Sequence, residues 1–189
     1  MQRCSWVNQD PLYIEYHDNE WGKPVRDNQK LFEKICLEGQ QAGLSWITVL
    51  KKREAYRQCF HHFDPAKVAA MTEKDIDKLM ENPGLIRHRG KLEAIVHNAK
   101  AYMAMQAAGE DFATFIWSFV ENQPILNHLS MKKPEELPAS TPISVAMAKA
   151  LKKRGFKFFG ATTCYAFMQS MGLVNDHMIE CFCHPDNHA

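Results

Sequence analysis

An all-α protein is predicted by three observations: apolar residues recur at helical spacing, strand-like alternation is nearly absent, and glycine, proline and cap-forming residues punctuate the stripes. Leu31, Ile35 and Glu38 fall at i, i+4 and i+7, so they share one face of a helix. Gly39 and Gly43 are expected to break that helix and to let backbone come close to something, with Ser45 capping the next one. Trp46, Val49 and Leu50 carry that next helix to about Cys59. Phe63-Asp64-Pro65-Ala66 turns into a short helix ending near Met71. Thr72 with Asp75 resembles a capping box, and Ile76, Leu79 and Met80 line a helix stopped by Asn82-Pro83-Gly84. After a tight connection from Leu85 to Gly90, one face of a longer helix carries Leu92, Ile95, Val96, Ala99 and Met103 and ends near Gly109. Phe112 to Val120 reads as a further short helix, and residues 121–141 are the most loop-like in the chain. Thr141-Pro142 opens a helix running to Arg154 with Gly155 as its stop, and a last helix runs from about Ala161 to Met171, stopped by Gly172.

The 189 residues suffice for a substantial core, and 46% hydrophobic with 24% charged residues is ordinary for a globule. No apolar run approaches the roughly 20 residues of a membrane span, and Met1 to Trp6 lacks the apolar core of a signal peptide. The expectation is therefore a cytoplasmic protein with no membrane partner. Its six cysteines would then meet a reducing compartment, which favours metal binding or plain burial over disulfides. A net charge of +1 gives no global reason to expect a polyanion. The cations are clustered, however, in Lys51-Lys52-Arg53, in Arg87 to Lys91 and in Lys152-Lys153-Arg154-Gly155-Phe156-Lys157. Solvated helix ends explain any one of these, and the three form a stripe only if the fold gathers them.

Three constellations carry chemistry. The stretch from Leu37 to Trp46 sets the Glu38 carboxylate among apolar residues beside two amides and an indole, which is the inventory of a nucleobase pocket. An unpaired buried carboxylate costs several kcal/mol, so Glu38 needs a partner, whether an arginine, a helix end or a polar ligand. The second is a hairpin, Pro83 to Lys91, whose second helix starts at Gly90 among cations. Free backbone N–H groups and the helix dipole there attract a phosphate, with Arg87, Arg89 and Lys91 adding charge; a solvated αα-corner is the alternative. The third joins Cys4 and His17 to His177 and Cys181, the latter pair at i, i+4 as on one helical face. Two thiolates and two imidazoles suit a closed, structural zinc site, though Cys183, His184 and His188 are rival ligands and plain burial is the alternative.

Cys4-Ser5-Trp6, Asp10 to Gly22, Leu37 to Arg53, Ile86 to Lys91, Ala150 to Gly160 and Gly172 to Cys181 together closely resemble the DNA-3-methyladenine glycosylase I family. The resemblance spans essentially the whole chain. It implies an all-helical helix-hairpin-helix glycosylase fold over residues 1–189, with a hairpin lobe at about 46–120 and a lobe from both termini, 1–45 plus 121–189, tied by one zinc ion on Cys4, His17, His177 and Cys181. It implies a base pocket of Glu38, Tyr13, Tyr16, Trp46 and Trp6, with Glu38 and Tyr16 catalytic, and Gly43 and Leu44 probing the gap left in alkylated double-stranded DNA. Arg87, Arg89, Gly90, Lys91 and Lys153 would grip the phosphates of that duplex, the enzyme acting as a monomer. Many members of the wider superfamily carry a catalytic Asp after the hairpin; the nearest here, Asp111, sits where a helix cap is the simpler account. No lysine stands out in the sequence as buried, so a monofunctional enzyme that excises 3-methyladenine by hydrolysis is expected. A zinc-stabilised DNA-binding module without catalysis is the alternative, and a zinc hydrolase would need an open coordination position.

Overall fold

The computed structural model describes residues 1–188, and among these it contains nine α-helices and one pair of two-residue strands. The helices are α1 (Pro11–Asn19), α2 (Asn28–Gln40), α3 (Trp46–Cys59), α4 (Pro65–Ala69), α5 (Glu73–Leu79), α6 (Arg89–Ala107), α7 (Phe112–Ser118), α8 (Pro142–Lys153) and α9 (Ala161–Ser170). None of them is long and apolar enough to cross a membrane.

Several starts follow directly from capping chemistry. Asp10 accepts from the Leu12 N–H at 3.0 Å with Pro11 as first helical residue, a start signal that marks α1 although its weak apolar pattern does not. Asp75 accepts from the Thr72 N–H at 2.7 Å, completing the capping box of α5. Asp111 caps α7 by accepting from the Thr114 N–H at 2.9 Å and also takes the Asn28 amide. That is the simpler of the two roles open to it in the sequence.

α2 is the axis of the molecule. α3, α6, α7 and α9 pack around it, so every residue from Lys34 to Gln40 is buried, including one ammonium, one carboxylate and one amide. A helix covered on all sides has no solvent face on which to place charge. Gly39 does not break this helix, contrary to expectation; it lies inside α2, where an added Cβ would stand 3.0 Å from the Phe158 carbonyl. Close backbone approach is its role, and the break comes at Gly43, in the left-handed region at φ +77°. Ser45 occupies the N-cap position of α3 but bonds the Thr48 hydroxyl at 2.9 Å and caps no backbone N–H.

The loop-like stretch from 121 to 141 contains the short strand β1 (Ile125–Leu126), which pairs in parallel with β2 (Val174–Asn175), Ile125 opposite Val174. Two residues are too few to show alternation, so sequence periodicity could not find them. Phe182 N–H donates to the Gln2 carbonyl at 2.9 Å, which brings the N-terminal segment against the segment after β2. His177 and Cys181 do not share a helical face as expected; they lie in an irregular turn after β2.

Candidate functional site

A cavity of about 230 Å³ opens where α1, α2, α3 and α9 meet the segment after β2. Glu38 comes from the last turn of α2, Tyr13 and Tyr16 from successive turns of α1, and Trp46 is the first residue of α3. Trp6 and Trp21 close one side, and Gln41, Leu137, Gln169, Asp176 and Met178 complete the wall. The rings brace one another: Trp6 lies 5.0 Å from both Tyr13 and Trp21, and Tyr16 lies 5.7 Å from Trp46. All five residues proposed in the sequence for a base pocket are therefore gathered here. Of the two amides in the Leu37–Trp46 stretch only Gln41 lines the cavity. Gln40 turns inward, donating to the Lys91 carbonyl and accepting from the Tyr56 hydroxyl.

Burial pushes the Glu38 carboxyl up to about 7, against the opposing pull of the Lys34 ammonium and the Ser170 hydroxyl. Lys34 is 5% exposed, and burial brings it down to about 8. Its Nζ donates to the Tyr16 hydroxyl at 2.7 Å and lies 4.0 Å from the centre of the Trp46 ring. A buried lysine beside the cavity is thus present, contrary to the sequence reading, although it stands behind the rings and does not line the cavity. Among the described residues, Trp46 Nε1 is the single buried side-chain nitrogen or oxygen with no hydrogen-bond partner. Trp46 itself lines the cavity, and a buried N–H left without a partner costs stability. Asp176 is a second buried carboxylate at the cavity, fully engaged by the Tyr165 hydroxyl, the Gln169 amide at 2.9 Å and the Asn127 amide at 2.7 Å.

Cys4, His17, His177 and Cys181 converge next to this cavity, one ligand atom of each lying within 4.8 Å of the others and all four buried. Cys181 Sγ is 3.5 Å from His17 Nε2 and 3.7 Å from His177 Nδ1, and Cys4 Sγ is 3.6 Å from His177 Nδ1. A tetrahedral zinc ion with its usual bond lengths sets sulfur and nitrogen about 3.6 Å apart, so these edges have the size required. The far ring nitrogens are also committed: His17 Nδ1 meets Asp18 at 2.7 Å and His177 Nε2 meets the Trp21 carbonyl at 2.9 Å. Such partners aim the other nitrogen of each ring at the cluster centre. Gly22 is needed beside it, because a Cβ there would lie 2.9 Å from the His177 ring.

The hairpin between α5 and α6 presents Arg87 to solvent, with Arg89 paired to Asp77 and Glu93 at the surface. Lys91 is placed otherwise than a phosphate-gripping residue would be. It is buried, and its Nζ donates to the Gln40 carbonyl at 2.9 Å and the Ala42 carbonyl at 2.6 Å, where it neutralises the C-terminal end of α2. His88 Nδ1 accepts from the Lys91 N–H at 3.1 Å, so one of the free N–H groups at the start of α6 is already taken. Gly90 sits in the first turn of α6, and Lys153 is exposed at the end of α8. Gly43 and Leu44 form the exposed turn between α2 and α3, Leu44 being 41% exposed. Phe158, which sequence reasoning passed over, is equally exposed, adopts φ +55° and sets its ring 5.9 Å from that of His88. Trp21, Leu137, Gln169 and Asp176 at the cavity, and Lys34 behind its wall, also went unremarked, since each is an ordinary residue until tertiary packing places it there.

Residues 6–184 match the model of the methyladenine glycosylase family. The chain is 63% identical over 187 residues to DNA-3-methyladenine glycosylase 1 of Escherichia coli, covering 99% of each chain. It is 66% identical to a DNA-3-methyladenine glycosylase of Haemophilus influenzae, covering 96% of this chain and 97% of the other. A solved structure of a 3-methyladenine DNA glycosylase I variant in complex with 3-methyladenine superposes with a TM-score of 0.91 at 41% identity, covering 98% of both chains.

Proposed function

This chain belongs to the methyladenine glycosylase family and is a DNA-3-methyladenine glycosylase, a hydrolase of N-glycosyl bonds, and from that premise we propose how its cavity performs the reaction. The observation that carries the reading is a buried carboxylate, Glu38, in a cavity walled by Trp6, Tyr13, Tyr16 and Trp46.

The target nucleotide turns out of the duplex into the cavity, at a cost of a few kcal/mol that is lower for a damaged base. Trp46 stacks on the base and Tyr13, Tyr16 and Trp6 enclose it, which suits a cation because aromatic faces attract positive charge. Adenine methylated at N3 is cationic. Glu38 accepts from its exocyclic amine and balances the charge as the bond from N9 to the sugar carbon breaks. The bonding electron pair goes to the purine, which leaves neutral, and water adds its hydroxyl to the sugar carbon while releasing a proton. Little acid catalysis is needed. Unmodified adenine brings no charge to offset the desolvation of Glu38, so selectivity comes from charge and fit. Tyr16 completes the catalytic pair by holding the base against Glu38. Lys34 has no path into the cavity, which supports a monofunctional enzyme over a lyase.

Zinc on Cys4, His17, His177 and Cys181 supplies no chemistry in this reading. These four residues would hold the ion with no open position, and so would tie the two terminal segments together. Duplex DNA lies across the hairpin, with Arg87, Arg89, the start of α6 at Gly90 and Lys153 on phosphates, and with Gly43 and Leu44 filling the gap. Phe158 joins that face, while Lys91 acts from inside by fixing the turn that carries Leu44. One copy of the chain contains every group named, so the enzyme acts as a monomer. Chromatography of bases released from dimethyl-sulfate-treated duplex DNA tests the reading. Release of 3-methyladenine without 7-methylguanine supports it, and no release by folded, zinc-loaded protein overturns it.

A further inference from the structure

Lys34 is an unusual occupant of a central helix. Its neighbours on α2, Phe32, Ile35, Cys36 and Leu37, are all apolar and buried, and an apolar side chain would satisfy the packing at lower cost. The ammonium instead sits on the hidden side of the two rings that wall the base cavity, 4.5 Å from the centre of Tyr16 and 4.0 Å from that of Trp46. On its other side lies a second cavity where Arg53 pairs with Glu20 at 2.6 Å and Arg57 with Glu33 at 2.8 Å, and which Lys23 and Lys30 also line. The hydrogen bond to Tyr16 has a fixed polarity, because an ammonium can only donate. The Tyr16 oxygen is therefore the acceptor of the 2.7 Å contact, and its own proton is directed elsewhere. Glu38 stands at i+4 from Lys34, one turn along the same helix.

We propose that Lys34 is a positioning residue for base excision, which makes the Tyr16 hydroxyl a donor toward the base and provides the counter-charge that keeps Glu38 a carboxylate. The inference rests on the glycosylase reading of the cavity. Its consequence is a cavity with defined polarity: Tyr16 offers a proton, Glu38 offers lone pairs, and a ligand must present an acceptor to the first and a donor to the second. The charges around Lys34 are Glu38, Glu33 and Lys30 from its own helix, Glu20 and Lys23 after α1, and Arg53 and Arg57 from α3. The two arginine–glutamate pairs are intact, so Glu38 is the acid left for Lys34 to balance.

The test is single-turnover release of 3-methyladenine from methylated duplex between pH 6 and 9.5, for the wild-type protein, Lys34→Met and Lys34→Gln. Methionine keeps length and burial but removes both charge and donor; glutamine keeps a donor for Tyr16 without the charge. Loss of an opposite charge one helical turn away moves a carboxyl up by roughly one pH unit or more. Both variants should therefore lose activity at a higher pH than wild type, by about tenfold near pH 6.5, and approach it above pH 9, where Lys34 has itself lost its proton. Lys34→Gln should have the higher plateau of the two. A merely structural lysine would give a ratio to wild type that does not change with pH, and that result, or no change at all, overturns the inference. Failure of wild type to release any 3-methyladenine would instead strike the glycosylase reading itself.

Discussion

Tyr16 and His17 are adjacent in α1, yet they serve two buried polar clusters of opposite character. His17 enters a cluster that is mutually engaged: four ligand atoms converge and both ring nitrogens of each histidine have a partner. Tyr16 enters a cluster that is left incomplete, with a carboxyl that burial pushes up to about 7, an ammonium behind the wall and an indole N–H with no partner. Burying polar groups without satisfying them costs stability, so a fold keeps them where a ligand will supply what is missing. In the proposed reading, the same degree of burial serves structure in one cluster and chemistry in the other.

This contrast can be broken from either side. The largest expected effect is on the engaged cluster: Cys181→Ser, or strong chelation, should release zinc, separate the terminal segments and lower Tm by roughly 10 °C or more, as loss of a few kcal/mol would in a chain of this size. Zinc analysis and calorimetry check it. On the incomplete side, release of 3-methyladenine should fall as pH drops through about 7, because Glu38 must be ionised to balance the base and its carboxyl has been raised to that value. A rate that stays flat down to pH 5.5 would mean that the carboxylate charge is not used. Trp46→Phe keeps the flat apolar face and removes the orphaned N–H, so it should weaken binding of free 3-methyladenine by roughly fivefold to tenfold, the value of one hydrogen bond. Unchanged affinity in a calorimetric titration would show that the N–H meets no ligand. Smallest is a stability effect: Lys34→Met should raise Tm by a few degrees at pH 7. The lysine is brought down to about 8 in the folded state, so its cost is present in full below that pH and fades toward pH 10.5. Melting curves at pH 7 and pH 10 should show the gain shrinking.

Much of this organisation is legible in the sequence because it is local. Cap residues at Thr72, Asp111 and Thr141 and glycine stops at Gly109, Gly155 and Gly172 place the helices, and these signals act over three or four residues. Glu38 and Trp46 stand out in the sequence because a carboxylate on an apolar stripe beside an indole is conspicuous, whereas Tyr13 and Tyr16 come from the family resemblance alone. What escaped is what packing decides. Lys34 looks like a surface residue until α3, α6, α7 and α9 enclose α2, and Lys91 looks like a phosphate ligand until its stem folds under the end of α2. Gly39 reads as a helix breaker because a close approach of residue 158 is invisible from position 39. The strands β1 and β2 join residues about fifty positions apart through two residues each, with no periodic signal to announce them.

The measurement that bears most directly on the central claim is release of 3-methyladenine by Glu38→Gln, with zinc content and Tm recorded on the same sample. Glutamine keeps the shape and a hydrogen-bond acceptor but removes the charge. The account predicts a loss of at least about a hundredfold at pH 8, the scale of removing a charge that stabilises the transition state, while zinc is retained and Tm is equal or higher. Full activity in a folded, zinc-loaded Glu38→Gln protein would contradict it.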